Sequence, residues 1–219
     1  MSDSTGAAVR GEHRWPMALA VLTASILHAT LPEALRLQQS SWLPWIVVGI
    51  LILLILGDPG RIDRTERWLR VATGVLFGFI TLANAYSAVQ LVIGILDNAS
   101  FTAPKELLMA GGAVWLTNVI AFALWFWDLD RGGAAERAHR TGRQPAFIFP
   151  EMQHPEHVRS EWTPQFIDYL AFSFATATAF SPTDVSAVKP WAKTMMVCES
   201  LLSLALAALV IARAVNVLQ

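Results

Sequence analysis

The chain has 219 residues, of which 54% are hydrophobic and only 15% are charged, and its formal net charge is -1. A soluble domain carries about 25% charged residues, so this composition excludes a disordered chain and favours a membrane protein over a water-soluble one. The small net charge argues against nucleic acid as a partner. The single cysteine, Cys198, excludes an internal disulfide framework and a cysteine-based metal cluster.

Four apolar segments lie in the first 127 residues and predict four transmembrane helices. We expect these helices at about 16–37, 42–57, 68–96 and 107–127. Crossing the hydrocarbon core takes about 20 apolar residues. The second segment is shorter than this, so residues on either side of it must contribute to the span. The next segment, 128–164, contains five Arg, three His and four Pro, and this composition predicts a polar surface loop.

Two apolar pieces follow the loop. The piece at 166–180 is too short to cross a membrane comfortably, whereas the piece at 191–218 is long enough. Together these segments predict an all-α, multi-pass helical membrane protein with four N-terminal spans, a re-entrant or short helix and a long final helix. The domains are then a four-helix transmembrane region (1–127), a polar loop (128–164) and a C-terminal helix–turn–helix (165–219).

Basic residues are distributed unevenly about the four predicted spans. We call the side of the membrane that holds the N-terminus side A. Before residue 160, side A carries eleven arginines and the other side carries only Arg36 and Lys105. Cytoplasmic segments carry an excess of Lys and Arg, so we expect side A to be cytoplasmic. The arginines are Arg10, Arg14, Arg61, Arg64, Arg67, Arg70, Arg131, Arg137, Arg140, Arg143 and Arg159.

The most informative stretch is residues 172–191, which read FSFATATAFSPTDVSAVKPW. A short apolar helix followed by irregular polar backbone is tolerated at membrane depth only where protein or water surrounds it. Residues 176–184 resemble the filter of the potassium-channel superfamily, T-x-T-T-V-G-Y-G-D, with Thr176, Thr178 and Asp184 matching. The resemblance implies a pore module, assembled as a homo-tetramer, in which the filter-like residues are Thr176, Thr178, Ser181, Pro182, Thr183 and Asp184.

The glycines of that filter are replaced in this chain. Ser181-Pro182-Thr183 stands where the superfamily has G-Y-G. Glycine permits backbone conformations that other residues resist, and proline fixes φ and lacks an N–H group. The usual ladder of carbonyl oxygens therefore does not form in the usual way, and we expect poor selectivity between potassium and sodium.

The whole chain resembles a bacterial multi-pass membrane family, domain of unknown function 1345, which implies a membrane protein and no particular activity. In potassium channels the pore helix enters from outside the cell, whereas the arginine distribution places segment 128–164 in the cytoplasm. Three interpretations remain open: the module is inverted, residues 166–188 cross the membrane fully, or the arginine distribution misleads.

Several polar residues lie inside the predicted spans. Asn84, Gln90 and Asn118 are expected to form hydrogen bonds between helices rather than to bind substrate. On the final helix, Glu199 and Arg213 are fourteen residues apart and share a face. Asn216 lies about one turn beyond Arg213. For Asp184 we consider two roles, a carboxylate at a pore mouth and a helix cap that accepts backbone N–H groups.

We find no nucleotide-binding loop and no nucleophile–base motif, so we predict that the protein is not an enzyme and uses no cofactor and no metal. The leading hypothesis is a pore-loop, channel-like protein of the inner (plasma) membrane that moves small cations. The partners would be the lipid bilayer and identical copies of the chain. The alternatives are a non-conducting membrane scaffold, and a small transporter that uses Glu199 and Asp184 as protonatable groups.

Overall fold

The structure is a computed structural model that describes residues 11–37, 43–97, 103–139, 142–153, 156, 162–178 and 184–217. Helices make up 78% of it, which confirms the all-α prediction. The helices are α1 (Trp15–Thr30), α2 (Leu43–Gly57), α3 (Arg67–Leu96), α4 (Pro104–Leu129), α5 (Ala134–Ala138), α6 (Pro150–Gln153), α7 (Phe166–Thr178) and α8 (Pro190–Val217). Two short strands, β1 (Phe147–Ile148) and β2 (Ser186–Ala187), pair antiparallel.

Three of these helices, α3, α4 and α8, are long and apolar enough to cross a membrane. Helices α1 and α2 have 16 and 15 residues, so each is shorter than the ~20 residues of a typical span. The first helix ends earlier than the sequence predicts, at Thr30 rather than near residue 37. Pro32 explains this difference, because the residue before a proline is driven towards extended backbone, and Leu31 has ψ of 150°.

Helix α4 is the centre of the bundle and packs against α1, α3, α7 and α8. Of its apolar stretch 61% is buried inside the structure, against 22% for α8. Helix α4 packs tightly on α8 at Gly111, where a Cβ atom would lie 2.7 Å from Val210 Cγ2. The apolar residues of α8 that face away from the bundle include Leu201, Leu204 and Ile211.

The bundle has two ends, and we call the end at which α1 begins end A. There the guanidinium of Arg14, just before α1, lies 3.0 Å from the carboxylate of Asp58, just after α2. The start of α3 and the C-terminal end of α4 lie at the same end, since the Phe77 ring of α3 packs on Trp127 of α4. The opposite end, end B, buries an apolar cluster in which Leu35, Leu107 and Ala214 meet.

The segment after α4 differs from the surface loop that the sequence predicts. Helix α4 continues to Leu129, and the chain that follows folds over end A. Phe147 is fully buried, and its ring centroid lies 5.1 Å from those of Phe126 and Phe172. The apolar run at residues 146–149 explains the difference, because it gives this otherwise polar segment a side that packs on α4 and α7.

The chain returns to end A after α7. Strand β2 pairs with β1 in a register that sets Ala187 opposite Phe147. The Val188 N–H donates to the Ala146 carbonyl oxygen at 2.9 Å, and the ring of Trp191, at the start of α8, packs on Phe147. Helices α7 and α8 therefore both begin at end A and run into the bundle in the same direction.

Candidate functional site

Helix α7 is a half-length helix that packs between α4 and α8. Its 13 residues span about 20 Å at 1.5 Å per residue, so α7 ends inside the bundle. Thr176 is buried near its end, and the Thr176 hydroxyl donates to the Phe172 carbonyl oxygen at 2.9 Å. The Thr178 hydroxyl, on the last residue of α7, donates to the Ala175 carbonyl oxygen at 3.0 Å.

The remaining filter-like residues are only partly described. Ser181, Pro182 and Thr183 lie outside the described residues. Asp184 is exposed, and it precedes β2 in the chain. Because α8 begins at Pro190, Asp184 does not occupy the N-cap position of that helix.

A buried carboxyl group lies where α7 and α8 meet. Glu199 of α8 is fully buried, and its Oε1 is hydrogen-bonded to the Ser173 hydroxyl of α7. The same hydroxyl oxygen lies 2.7 Å from the Val119 carbonyl oxygen of α4. One residue along α8, the Ser200 hydroxyl donates to the Thr176 carbonyl oxygen at 3.3 Å. The end of α7 is therefore attached to both long helices beside it.

A second polar group lies deeper in the bundle. The Asn118 side-chain N–H donates to the Ser203 hydroxyl at 3.1 Å, and the Asn84 side-chain N–H donates to the Asn118 side-chain oxygen at 3.4 Å. This confirms the expectation that Asn84 and Asn118 bond between helices. Ser203 follows Glu199 by four residues, so the two share one face of α8. That spacing is the sequence signal that would have linked the two groups.

Arg213 and Asn216 do not join Glu199. Arg213 is half-buried and Asn216 is exposed, both near the end-B terminus of α8. Fourteen residues of helix separate Arg213 from Glu199 by about 21 Å. The shared face that the sequence predicts therefore does not bring the two charges into contact.

Sequence reasoning missed the polar network that fixes the start of α7. The Glu12 carboxylate, before α1, accepts hydrogen bonds from the Phe166 backbone N–H and from the Trp127 indole N–H, the latter at 2.8 Å. The Arg137 guanidinium lies 3.5 Å from the same carboxylate. Burial raises the pKa of Glu12 above its ordinary value, and the Arg137 charge and these hydrogen bonds oppose that rise.

Arg137 and Asp130 complete this network. The Arg137 guanidinium donates to the Trp127 carbonyl oxygen at 2.6 Å and to the Asp130 carbonyl oxygen at 3.0 Å. The fully buried Asp130 carboxylate accepts from the Tyr169 hydroxyl and from the Ala146 backbone N–H, both at 2.6 Å. Buried charges are stable only when they are paired and hydrogen-bonded, so these contacts fix the relative positions of α4, α7 and the segment before β1.

Comparison of the chain with protein-family models, with characterised proteins and with solved structures gives no match. The case for a function therefore depends on the geometry of the chain itself.

We predict that Tyr169→Phe destabilises the protein by about 1–3 kcal/mol, because it leaves a buried carboxylate oxygen of Asp130 without its donor. The matched control is Tyr86→Phe, since Tyr86 is the other tyrosine of the chain and is half-exposed. Thermal unfolding in detergent measures both variants. Equal melting temperatures for Tyr169→Phe and the wild-type protein would contradict the network.

Proposed function

We propose that this chain is a multi-pass protein of the inner (plasma) membrane, and that α7, β2 and α8 form a pore loop that conducts small cations. The observation that supports this most is that α7 begins at end A, ends inside the bundle and is followed by a return to end A. A membrane tolerates such a half-length helix only where protein or water surrounds it. Helix α7 meets this condition because it packs between α4 and α8, so protein surrounds it on those sides.

In this proposal α1–α4 and α8 cross the membrane and α7 is re-entrant. Side A then carries 13 basic residues and the other side carries three, because Lys189 and Lys193 join the first group and Arg213 joins the second. The excess favours a cytoplasmic position for end A. The pore loop would enter from the cytoplasm, which is the inverted alternative among those that the sequence leaves open.

Oligomerisation is part of the proposal, since one chain supplies one wall of a pore. The face of α8 turned away from the bundle is apolar, and its exposed residues would contact lipid or a second copy. A homo-tetramer follows from the resemblance to the potassium-channel pore module. Conduction would discriminate poorly between potassium and sodium, because Ser181-Pro182-Thr183 replaces the glycine-containing part of the filter.

A second candidate is a small-solute transporter, and a cavity of about 340 Å³ between α3, α4 and α8 favours it. Asn84 and Asn118 supply polar atoms to this cavity, whose other lining residues are mostly apolar. Glu199 does not line it, so the cavity offers no support for proton coupling through Glu199. A monomer that takes up a solute would favour the transporter, and a tetramer that conducts ions would favour the pore. A non-conducting scaffold would do neither.

The orientation is tested by labelling single cysteines on intact cells in a Cys198→Ser background. Gln144 at end A and Ala34 at end B are both exposed. We predict that a membrane-impermeant maleimide labels Ala34→Cys and spares Gln144→Cys until the cells are permeabilised. The reverse pattern would place end A outside and restore the ordinary channel orientation.

Conduction is tested by ion flux in liposomes that contain the purified protein. We predict comparable potassium and sodium flux, and we predict that Asp184→Asn lowers both by about tenfold at low salt, since a carboxylate at a pore mouth concentrates cations. The loss should shrink at high salt because of screening.

The control for this experiment is Glu66→Gln, which removes another exposed carboxylate at end A. Glu66→Gln should conduct like the wild-type protein. Flux no greater than in protein-free liposomes would overturn the proposed function.

A further inference from the structure

The Ser173 hydroxyl has two oxygen neighbours and only one proton to give. It lies within hydrogen-bonding distance of the Glu199 carboxyl and 2.7 Å from the Val119 carbonyl oxygen. A hydroxyl group has one donor and two acceptor lone pairs. If Glu199 were ionised, its carboxylate and the Val119 carbonyl oxygen would both be acceptors only. Ser173 could then donate to one of them, and its contact with the other would be a repulsive contact between two oxygen atoms with no proton between them.

A neutral Glu199 removes this conflict. The carboxylic acid O–H then donates to Ser173 Oγ, and the Ser173 O–H donates to the Val119 carbonyl oxygen, so each contact has one proton. The second carboxyl oxygen, Oε2, is buried and has no hydrogen-bond partner in the described part of the chain. An unpartnered oxygen is far less costly on a neutral acid than on a carboxylate.

The surroundings of Glu199 contain no compensating charge among the described residues. The polar groups that α7 presents nearby are Ser173 and Thr176, and α4 presents the Val119 carbonyl oxygen and Asn118. On α8 itself the neighbours are Ser200 and Ser203. None of the ion pairs formed by the described residues includes Glu199.

We propose that Glu199 is a proton-binding site in the interior of the bundle, where the neutral acid donates to Ser173 and holds α7 against α4 and α8. Loss of the proton would create a buried carboxylate facing the Val119 carbonyl oxygen through a single shared hydroxyl. The two simultaneous hydrogen bonds of Ser173, to α8 and to α4, therefore depend on the bound proton, whereas the bond from Ser200 to Thr176 does not. This inference goes beyond conduction and does not require it.

Infrared spectroscopy of the protein in lipid nanodiscs at pH 7 tests the proposal. A protonated carboxylic acid has a carbonyl stretching band that a carboxylate lacks. We predict that the spectrum of the wild-type protein minus that of Glu199→Gln shows the loss of one such band. The control, Glu106→Gln, removes an exposed glutamate of α4 and should leave this region unchanged. No band lost in Glu199→Gln would overturn the proposal.

A second variant keeps the proposal testable if Glu199→Gln does not fold. Ser173→Ala removes the acceptor of the Glu199 proton and leaves the carboxyl group in place. We predict that the carbonyl band of Glu199 then shifts to higher frequency, because the carboxylic acid group of Glu199 has lost its hydrogen bond to Ser173. An unchanged spectrum in Ser173→Ala would contradict the proposal. Because neither measurement needs ion flux, failure here and failure of the channel hypothesis are distinguishable.

Discussion

One buried carboxylate, that of Asp130, determines how the C-terminal half of the chain is placed. It follows α4 and binds the Tyr169 hydroxyl of α7 and the Ala146 N–H that precedes β1. A carboxylate with no exposed surface must keep its donors, so these three parts of the chain cannot move apart independently. Because β2 pairs with β1, the chain that follows α7 is also held at end A. The half-length geometry of α7 depends on this attachment.

The neighbouring network of Glu12, Arg137 and Trp127 also holds the start of α7 in place. Glu12 precedes α1 and contacts the first backbone N–H of α7, so the N-terminal arm and the C-terminal module share one polar cluster. The Arg137 guanidinium also lies over the rings of Trp127 and Tyr169, at 5.6 and 5.3 Å from their centroids. Charge, hydrogen bonds and aromatic packing therefore all act on the start of α7, whereas the end of α7 depends on Ser173, Thr176 and their partners on α4 and α8.

The helices of this chain were largely predictable from the sequence, because long apolar blocks ended by Pro or Gly determine them locally. That Asn84 and Asn118 form hydrogen bonds between helices was predictable for a similar reason, since polar side chains within apolar helices need partners, although the sequence did not indicate which partners they have. The end-A network was not predictable. Glu12 and Arg137 are 125 residues apart in the chain, and no local pattern indicates that two such residues meet.

The C-terminal module was predicted in outline but not in detail. The pattern of a short helix, a polar turn and a long helix indicated a re-entrant segment, and it did not distinguish this from a full crossing. The pairing of β1 with β2 holds the chain that follows α7 at end A, which is the position that a re-entrant segment requires. This pairing depends on a segment that looked like a polar surface loop. Only the run Ala146–Phe149 hinted that part of that loop is buried. Ser173 lies about one turn before Thr176, and its role was not predictable because a lone serine in an apolar helix has no distinctive pattern.

Around α7 the chain enters and leaves the bundle at the same end, and disulfide cross-linking can detect this arrangement. Ile148 and Ser186 are paired residues of β1 and β2. Paired residues of antiparallel strands have Cα atoms about 4.5–5.5 Å apart, which suits a disulfide bond. In a Cys198→Ser background, we expect Ile148→Cys and Ser186→Cys to cross-link within one chain under mild oxidation. Ala34→Cys at end B should not cross-link to Ser186→Cys. Cross-linking of Ser186→Cys to Ala34→Cys, with none to Ile148→Cys, would show that the chain after α7 lies at end B. That result would contradict the return of the chain to end A.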